Sequence, residues 1–454
     1  MERLTFKEKC GYGSAGIGDA VCYTLPGTYM LFFLTTVAGI QPAVAGTITV
    51  VAAIWDGIWN PIVGYLSDHK RSKMGRRRPF MACFVGPLVL ATILLFTNID
   101  MPYGIKVIYY GLMCIAFWTS FTGFFIPFYA LGTEYSEDYD ERTMIRAYAS
   151  FFNSLGTVIS MAMPSFLIEK LQEHGMSVSH AWTVMVTICA VLSGISIVIT
   201  IIASKDKDKP ISDDEPVEKL NLLDMLKDFG DVIKFRPAIC VVIACLFCLI
   251  AYSFLAADML YYLTYNMKFD GGETSLALLV RAIIGLCLIP LGTWVCKKTD
   301  NRTALIIFFV AGAIGLTVIR IFGASNLITL LLLFIVGCTC TAFYWQIMPV
   351  LVYELCIYDE YVTGKKREGV IVSLQGLVET VSGGIGSQFL GIVLQFAGFN
   401  GAAAVQSQMA ESWIFSCITV IPAIALAIAV VALVKYPISR QKFNEMREEI
   451  EKRK

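Results

Sequence analysis

The sequence predicts an all-α membrane protein, and three observations lead to that fold class. Apolar residues make up 56% of the 454 residues and charged residues only 16%, with a mean hydropathy of +0.67, a balance that a soluble domain does not show. The apolar residues fall into about twelve long runs, each near the roughly 20 residues that a helix needs to cross a bilayer. These runs are continuously apolar, whereas the strands of a membrane barrel alternate apolar and polar residues.

Each run predicts one membrane-spanning helix, because a helix satisfies its own backbone hydrogen bonds in lipid. The first run begins with several glycines and Asp19, and lacks the compact apolar segment and cleavage site of a signal peptide, so we expect it to be retained. The predicted spans are 12–38, 43–66, 79–97, 104–133, 147–168, 181–203, 237–265, 274–296, 303–322, 326–355, 370–396 and 411–436.

The distribution of Lys and Arg predicts the orientation. Most of the 36 Lys and Arg residues lie in the termini and in the loops on the same side of the predicted membrane. The most basic of these loops ends "KRSKMGRRRP", and Pro79 suits the first turn of the third span. We therefore predict a multi-pass protein of the cell (inner) membrane with both termini in the cytoplasm.

One long polar segment, residues 204–236, divides the predicted spans six and six. It mixes both charge signs with Pro and ends in a short amphipathic stretch, which predicts a solvated linker with a surface helix. The predicted organisation is an N-terminal half 1–203, the linker 204–236, a C-terminal half 237–436 and a cytoplasmic tail 437–454. Two halves of equal span number suggest a duplication with the binding site at their interface.

Ionisable residues inside the predicted spans are the main candidates for function. A charge near the centre of a bilayer costs on the order of 2.5–3.5 kcal/mol, so such residues usually face a polar cavity or a charged partner. The candidates are Asp19, Asp56, Asp258, Arg281 and Glu379. The alternative is a structural role, in which each is paired or hydrogen-bonded across helices.

Asp56 is the most informative of these residues because Asn60 lies four positions further on, on the same helix face. A carboxylate and an amide oxygen could together ligate a small hard cation. Asp56 could instead exchange a proton. The sequence leaves both readings open.

Aromatic residues accompany the carboxylates along the same predicted helices. Aromatic rings next to carboxylates suit a sugar, whose C–H faces stack on the rings while its hydroxyls donate to the acid. Packing in the bundle or at the membrane interface is the alternative for any single ring. The residues concerned are Tyr12, Trp55, Trp59, Trp118, Phe125, Tyr129, Tyr261, Tyr262, Tyr344 and Trp345.

Nothing in the sequence predicts an enzyme or a cofactor. The three histidines lie outside the predicted spans, and no recognisable motif supplies a nucleophile with its base. The pair Cys338 and Cys340 has no further thiol or His nearby, so we expect no metal site beyond a possible Na⁺ at Asp56.

The segment "WDGIWNPIVGYLSDHKRSKMGRRRP" resembles the second span and following loop of the glycoside-pentoside-hexuronide:cation symporters, the melibiose permease branch of the major facilitator superfamily. "GYGSAGIGD", "FFIPFYALG", "SFFNSLG" and "YDEYVTGKKREG" extend the resemblance along the whole chain. The resemblance implies two six-helix halves that move a cation and a sugar-like solute together by alternating access.

The resemblance also implies roles for individual residues. Asp19 corresponds to a carboxylate that accepts hydrogen bonds from sugar hydroxyls. Asp56 corresponds to the first carboxylate of the cation site, and Thr122 to a hydroxyl that helps to ligate the ion; with Asn60 they form the predicted cation site, for Na⁺ or H⁺. We predict substrate contacts at Asp19, Trp118, Phe125, Tyr129, Trp345 and Glu379.

Several positions depart from the family pattern. The second carboxylate of the cation site is replaced by Asn60, and a sugar-binding Asp of the fourth span by Phe125. An Arg of the fifth span is replaced by Ser150, although Arg146 lies one turn earlier, and Glu379 stands near a missing Lys of the eleventh. The first loss favours weaker ion binding, and the second a less polar solute than a disaccharide.

These departures define the alternatives. The first prediction is cation-coupled symport of a glycoside, sugar or hexuronide-like solute. One alternative is an uncoupled facilitator or a proton-coupled carrier of a less polar, amphipathic solute, and another is a non-transporting membrane sensor. Partners are expected to be a small-molecule solute and membrane lipid, without nucleic acid, and the chain is expected to be monomeric.

Charged residues at the cytoplasmic helix ends suggest a gate. Pairs across the two halves could latch the outward-facing state, although ordinary positive-inside charge explains any single residue equally well. The predicted gating residues are Asp68, Arg71, Arg76, Glu134, Asp140 and Arg142.

Overall fold

The computed structural model describes residues 4–68, 70, 72–135, 139–205, 207–208, 222–324, 326–364, 367–403, 405–438 and 440–453. These residues form α-helices, three short π-helical segments and loops. The helices are α1 Phe6–Gly13, α2 Ala15–Leu25, α3 Pro42–Asp68, α4 Arg78–Leu95, α5 Tyr103–Glu134, α6 Tyr139–Glu173, α7 Val178–Ala203, α8 Leu222–Ile233, α9 Arg236–Tyr261, α10 Gly271–Lys298, α11 Asn301–Phe322, α12 Leu327–Thr363, α13 Glu368–Phe396, α14 Gln408–Val434 and α15 Arg440–Arg453.

Eleven of the helices in the described part of the chain, α3 to α7 and α9 to α14, are long and apolar enough to cross a membrane. The first predicted span is also helical, because α2 continues through the π-helical segments Pro26–Met30 and Phe33–Val37. The run from 15 to 37 would be about 35 Å long at 1.5 Å per residue, enough to cross the bilayer. The all-α membrane fold is therefore confirmed.

The largest boundary differences lie at polar helix ends. The fifth predicted span, 147–168, begins at Tyr139 as α6, and the tenth, 326–355, continues to Thr363 as α12. The predicted spans stop at charged residues, because such residues are rare in the membrane interior. The helices themselves extend further, into water, because their backbone hydrogen bonds continue. Apolar runs thus locate the membrane crossing but underestimate the helix.

The first compact unit comprises Met1–Leu220, Lys268–Leu279 and Phe399–Val405. Within it α2 packs against α6 and α7, α3 against α5, and α4 against α5 and α7. The short α1 begins with a capping box, in which the Thr5 side chain accepts from the Glu8 backbone and the Glu8 carboxylate accepts from that of Thr5. The Thr5 backbone N–H and the Lys207 ammonium lower the pKa of Glu8 to about 2.

The close packing of α2 on α6 depends on glycine. A Cβ at Gly16 would lie 2.5 Å from the Ala149 carbonyl oxygen, and a Cβ at Gly156 would lie 2.8 Å from the Ile17 carbonyl oxygen. Because these neighbours are backbone atoms, they cannot rotate away. Glycine lets helix backbones approach closely in membranes, where dispersion contacts drive helix association.

The basic loop before α4 folds around Asp208. Its carboxylate accepts hydrogen bonds from the backbone N–H groups of Arg76 at 3.0 Å, Arg77 at 2.9 Å and Arg78 at 2.8 Å. Gly75 has a φ of +94°, and a Cβ there would lie within 2.7 Å of three Asp208 side-chain atoms. Asp208 thus provides the negative charge that the N-terminus of a helix favours.

The second unit comprises Asn221–Met267, Val280–Gly398 and Gln406–Lys454. Within it α9 packs against α13 and α14, and α11 against α12 and α14, which repeats the pattern of α2 and α4 in the first unit. The π-helical segment Tyr262–Asn266 ends α9, as π-helical segments follow α2. Gly386 of α13 meets Ser253 of α9, where a Cβ would lie 2.5 Å from the Ser253 Cβ. These parallels are consistent with duplication, and the predicted domain boundaries stay a prediction.

Two amphipathic helices also belong to the second unit. The amphipathic part of the predicted linker forms α8, which packs against α9 and α13 and buries Phe229 and Val232. The predicted tail forms α15, which packs against α12 with Met446 and Ile450 buried.

Replacing Gly156 by Ala should destabilise the protein by about 1–3 kcal/mol, because the new methyl group meets the α2 backbone. Gly111→Ala is the matched control, since a Cβ at Gly111 meets nothing within 4 Å and Ala is the better helix former. Thermal unfolding of the purified proteins in one detergent measures the difference. Equal melting temperatures for the two variants would show that α2 and α6 lie further apart than described.

Candidate functional site

The predicted cation-site residues meet in the first unit. Asp56 is only 4% exposed on α3, and its Oδ1 accepts a hydrogen bond from the Thr122 hydroxyl of α5. Asn60 Nδ2 donates to Asp56 Oδ2 at 3.1 Å and to the Asp56 carbonyl oxygen at 2.8 Å. The helix repeat brings Asn60 over Asp56, and the packing of α3 on α5 adds Thr122.

The oxygen atoms of these three side chains could ligate a small hard cation. A carboxylate, a hydroxyl and an amide oxygen are the ligand types that such ions prefer, and one carboxylate balances the charge of one Na⁺. Asn60 would present its oxygen after rotation of the amide, which is a modest change for a side chain. The same carboxyl group could instead carry a proton, in which case the two neighbours would serve as its hydrogen-bond partners.

Two tryptophans pack beside this cluster. Trp55 Nε1 donates to the Thr119 hydroxyl at 2.8 Å, and Trp59 Nε1 donates to the Thr119 carbonyl oxygen at 3.1 Å. The two indoles stack with their centroids 6.1 Å apart. Because Thr119 and Thr122 are three residues apart on α5, these contacts fix the same face of α5 against α3.

Asp19 lies on another helix pair of the first unit. It is 5% exposed on α2, and Asn153 Nδ2 of α6 donates to its Oδ2 at 2.9 Å. The contact with Asn153 depends on the close α2–α6 packing at Gly16 and Gly156 described above.

A ladder of aromatic rings runs along α5. Phe125 packs on Phe121 with centroids 5.3 Å apart and on Tyr129 with centroids 4.4 Å apart, and Trp118 contacts Phe121 edge to face at 5.7 Å. Arg146 Cζ lies 4.4 Å from the Tyr129 ring centroid. The predicted substrate residues Trp118, Phe125 and Tyr129 thus share one stripe, although packing explains their contacts with one another.

Glu379 forms a separate cluster in the second unit. Its Oε1 accepts from the Tyr344 hydroxyl and from Gln375 Nε2, both at 2.9 Å. The Tyr344 hydroxyl also lies 2.8 Å from Cys245 Sγ. Trp345 is exposed next to Tyr344, with ring centroids 5.2 Å apart, so both predicted substrate residues of this unit contact Tyr344.

Asp258 and Arg281 do not belong to these clusters. Asp258 of α9 is 0% exposed, and neither carboxyl oxygen has a hydrogen-bond partner among the residues that the structure describes. Arg281 of α10 is buried, and its Nη1 likewise has no hydrogen-bond partner in the described part of the chain. The two residues therefore do not satisfy each other's charges.

The predicted gate falls mostly outside the described residues. Arg71 lies outside them, as do the side chains of Asp68, Glu134, Asp140 and Arg142. The backbone of Arg76 is part of the turn around Asp208. The gate stays a prediction.

Three polar residues that form hydrogen bonds in the structure are not among the sequence predictions. Asn153 was within reach of prediction, because it is a polar residue in an apolar span and belongs to the quoted motif "SFFNSLG". Gln375 lies four residues before Glu379 and could have been found by the same rule that paired Asp56 with Asn60. The contact of Asp208 with the N-terminus of α4 could not be predicted, because Asp208 is one of many charged residues in the linker and α4 is distant in sequence.

The helices and their buried polar clusters define a multi-pass membrane protein with polar sites inside its helical units. The chain belongs to the family of major facilitator and sugar transport proteins, whose pattern matches residues 11–440. The resemblance to the glycoside-pentoside-hexuronide:cation symporters is thereby confirmed, and the family comprises transporters, not enzymes.

Three relatives illustrate the range of this family. An isoprimeverose transporter of Lactiplantibacillus pentosus is 23% identical over 96% of this chain and 90% of its own. A glucuronide carrier protein homolog of Escherichia coli (strain K12) is 23% identical over 100% and 97%. A sodium-dependent lysophosphatidylcholine symporter 1 of Gallus gallus is 21% identical over 98% and 89%. Among solved structures, the nucleoside transporter NupG shares the fold, with a TM-score of 0.66, 13% identity, and coverage of 95% and 100%.

Replacing Asp258 by Leu should preserve or raise the thermal stability of the protein. A buried polar group without a partner costs about 1–3 kcal/mol, and a similar-sized apolar side chain removes that cost. Thermal unfolding in detergent measures the change. A large loss of stability would reveal a partner for the Asp258 carboxyl group.

Proposed function

We propose that this transporter carries out cation-coupled symport of a glycoside, sugar or hexuronide-like solute by alternating access. The observation that carries the proposal is the contact of Asp56 with Thr122 and Asn60. A buried carboxylate surrounded by oxygen-bearing side chains is costly in a membrane and suits a site that binds and releases a cation. The coupling ion is Na⁺ or H⁺, and one relative is sodium-dependent by name.

The substrate residues are Asp19, Trp118, Phe125 and Tyr129 in the first unit, and Glu379 and Trp345 in the second. Asp19 and Glu379 are anchored by side-chain amides, so each carboxylate is pre-oriented to accept hydrogen bonds from a solute. The α5 rings of the first unit and Trp345 of the second offer faces for the apolar side of a sugar. Two relatives are named for isoprimeverose and for a glucuronide, which supports this solute class.

A second candidate function is transport of a less polar, amphipathic solute, uncoupled or coupled to protons. Phe125 favours it, because this ring stands where the family has a sugar-binding Asp and packs into an aromatic ladder. A relative named for lysophosphatidylcholine gives the same indication. The two candidates differ in substrate and coupling, while the fold is common to both.

We place the transporter in the cell (inner) membrane as a monomer with both termini in the cytoplasm. The Lys and Arg bias of the loops supports this orientation. The predicted gating residues, Asp68, Arg71, Arg76, Glu134, Asp140 and Arg142, would then lie on the cytoplasmic side.

Uptake into proteoliposomes tests the coupling. We expect accumulation of a labelled glycoside or uronide to be driven by an imposed Na⁺ or H⁺ gradient and to be lost in Asp56→Asn, which removes the ionisable group. If the ion is Na⁺, Thr122→Val should raise the half-saturating Na⁺ concentration about tenfold, as expected for one lost ligand.

Thr187→Val is the control for Thr122→Val. Among the residues that the structure describes, the Thr187 hydroxyl donates only to the Thr183 carbonyl oxygen of its own helix, at 2.7 Å, so this variant should transport as the unmodified protein does. Lysophosphatidylcholine in the same assay tests the amphipathic alternative. If the solute only equilibrates, whichever gradient is imposed, and Asp56→Asn does not change this, the protein is a facilitator and Asp56 has a structural role.

A further inference from the structure

Arg281 places a positive charge near the middle of a membrane-crossing helix. The helix is α10, which is long and apolar enough to cross a membrane. Counting from Gly271, the first residue of α10, Arg281 lies about 15 Å along the helix axis, half the thickness of the hydrocarbon core. Only 5% of the residue is exposed, so water and lipid headgroups have little access to the guanidinium.

No carboxylate balances this charge in the part of the chain that the structure describes. Arg281 forms no ion pair with any described residue, and its Nη1 is buried there without a hydrogen-bond acceptor. The polar side chains that interact with the guanidinium are the Cys338 thiol and the Tyr252 phenol. Both are uncharged hydrogen-bond donors, so they leave the positive charge uncompensated.

An uncompensated guanidinium is costly in this position. Arginine keeps its charge in proteins, so Arg281 cannot reduce the cost of burial by losing a proton. A charged residue inside a membrane pairs with an opposite charge as a rule, or marks the path of an ion or a substrate. An anion next to Nη1 would both accept its hydrogen bond and balance its charge.

The packing beside Arg281 favours a small anion. Gly285 follows Arg281 by four residues on the same face of α10, and Cys338 Sγ lies 3.5 Å from the Arg281 carbonyl oxygen. A Cβ at Gly285 would meet only Cys338 Sγ among the described atoms, at 3.9 Å, so this face is loosely packed next to Cys338. The enclosed guanidinium offers no comparable opening to a lipid headgroup or a sugar.

We propose that Arg281 binds a small inorganic anion, chloride, inside the second unit. One chloride ion balances one guanidinium, and the Tyr252 hydroxyl and the Cys338 thiol are further donors to the ion. The Tyr252 ring contacts Trp345 edge to face, with centroids 6.3 Å apart, so the anion site adjoins a proposed substrate residue. The inference does not rest on the proposed solute or coupling ion, because the buried charge is a property of the fold.

The experiment measures thermal unfolding of the purified full-length protein in one detergent, in mixtures of sodium chloride and sodium gluconate. Sodium concentration and ionic strength stay constant, and gluconate is too bulky for an enclosed site. An ion that binds only the folded state stabilises it in a saturable way. The melting temperature of the unmodified protein should therefore rise with chloride and level off, with a total shift of about 2–4 °C.

Arg281→Gln separates a bound anion from a general salt effect. This variant should melt in gluconate at least as high as the unmodified protein, because it no longer buries an unpaired charge, and chloride should not shift its melting temperature. Arg281→Lys keeps the charge and should retain part of the response. Arg320→Gln is the matched control: Arg320 belongs to the same unit, lies 5.0 Å from the Phe415 ring centroid, and should leave the full response unchanged.

Three results would overturn the inference. The first is a melting temperature of the unmodified protein that does not depend on chloride, and the second is an equal chloride response in Arg281→Gln, which a general salt effect would give. The third is a large loss of stability of Arg281→Gln in gluconate, which would reveal a protein partner for the guanidinium. None of these results bears on the proposed function, which is tested separately by uptake under ion gradients.

Discussion

A carboxylate in a membrane-spanning helix needs hydrogen-bond donors from neighbouring helices, and much of this structure follows from that constraint. Asp56 accepts from Thr122 of another helix and from Asn60 of its own. Asp19 is satisfied across a helix pair by Asn153. The helices must therefore pack in a defined register, since a shift of one residue would separate Asp56 from Thr122 and Asp19 from Asn153.

Glycine residues permit that register at the points where two helix backbones come closest. Gly16 and Gly156 let α2 and α6 approach so closely that a methyl group at either position would meet backbone atoms. The contact between Asp19 and Asn153 lies on the same pair of helices, three residues from each glycine. Packing and polar chemistry are thus coupled, because the small residues that bring the helices together also bring the carboxylate to its amide. In the second unit, Gly386 of α13 allows a similarly close approach to Ser253 of α9.

Not every buried polar group in the described part of the chain is satisfied. Asp258 is fully buried on α9 without a hydrogen-bond partner for its carboxyl oxygens, in contrast to Asp56 and Asp19. A carboxyl group with hydrogen-bond partners is oriented for binding, whereas a buried one without partners only adds a desolvation cost. Burial alone is therefore a poor guide to the site, and the identity of the hydrogen-bond donors distinguishes these residues.

The sequence by itself determined the helices and paired two residues of the proposed cation site, Asp56 and Asn60. Continuous apolar runs predict spans because lipid offers no partners for a free backbone, and the pair Asp56 and Asn60 follows from the helix repeat alone. The assignment of Thr122 needed the family resemblance, because Thr122 is remote from Asp56 in the chain. Only the tertiary structure showed that Asn153 holds Asp19, that Asp208 caps α4 and that Arg146 rests on Tyr129. These contacts join residues far apart in sequence, and the register of one helix on another depends on side-chain packing that no periodicity encodes.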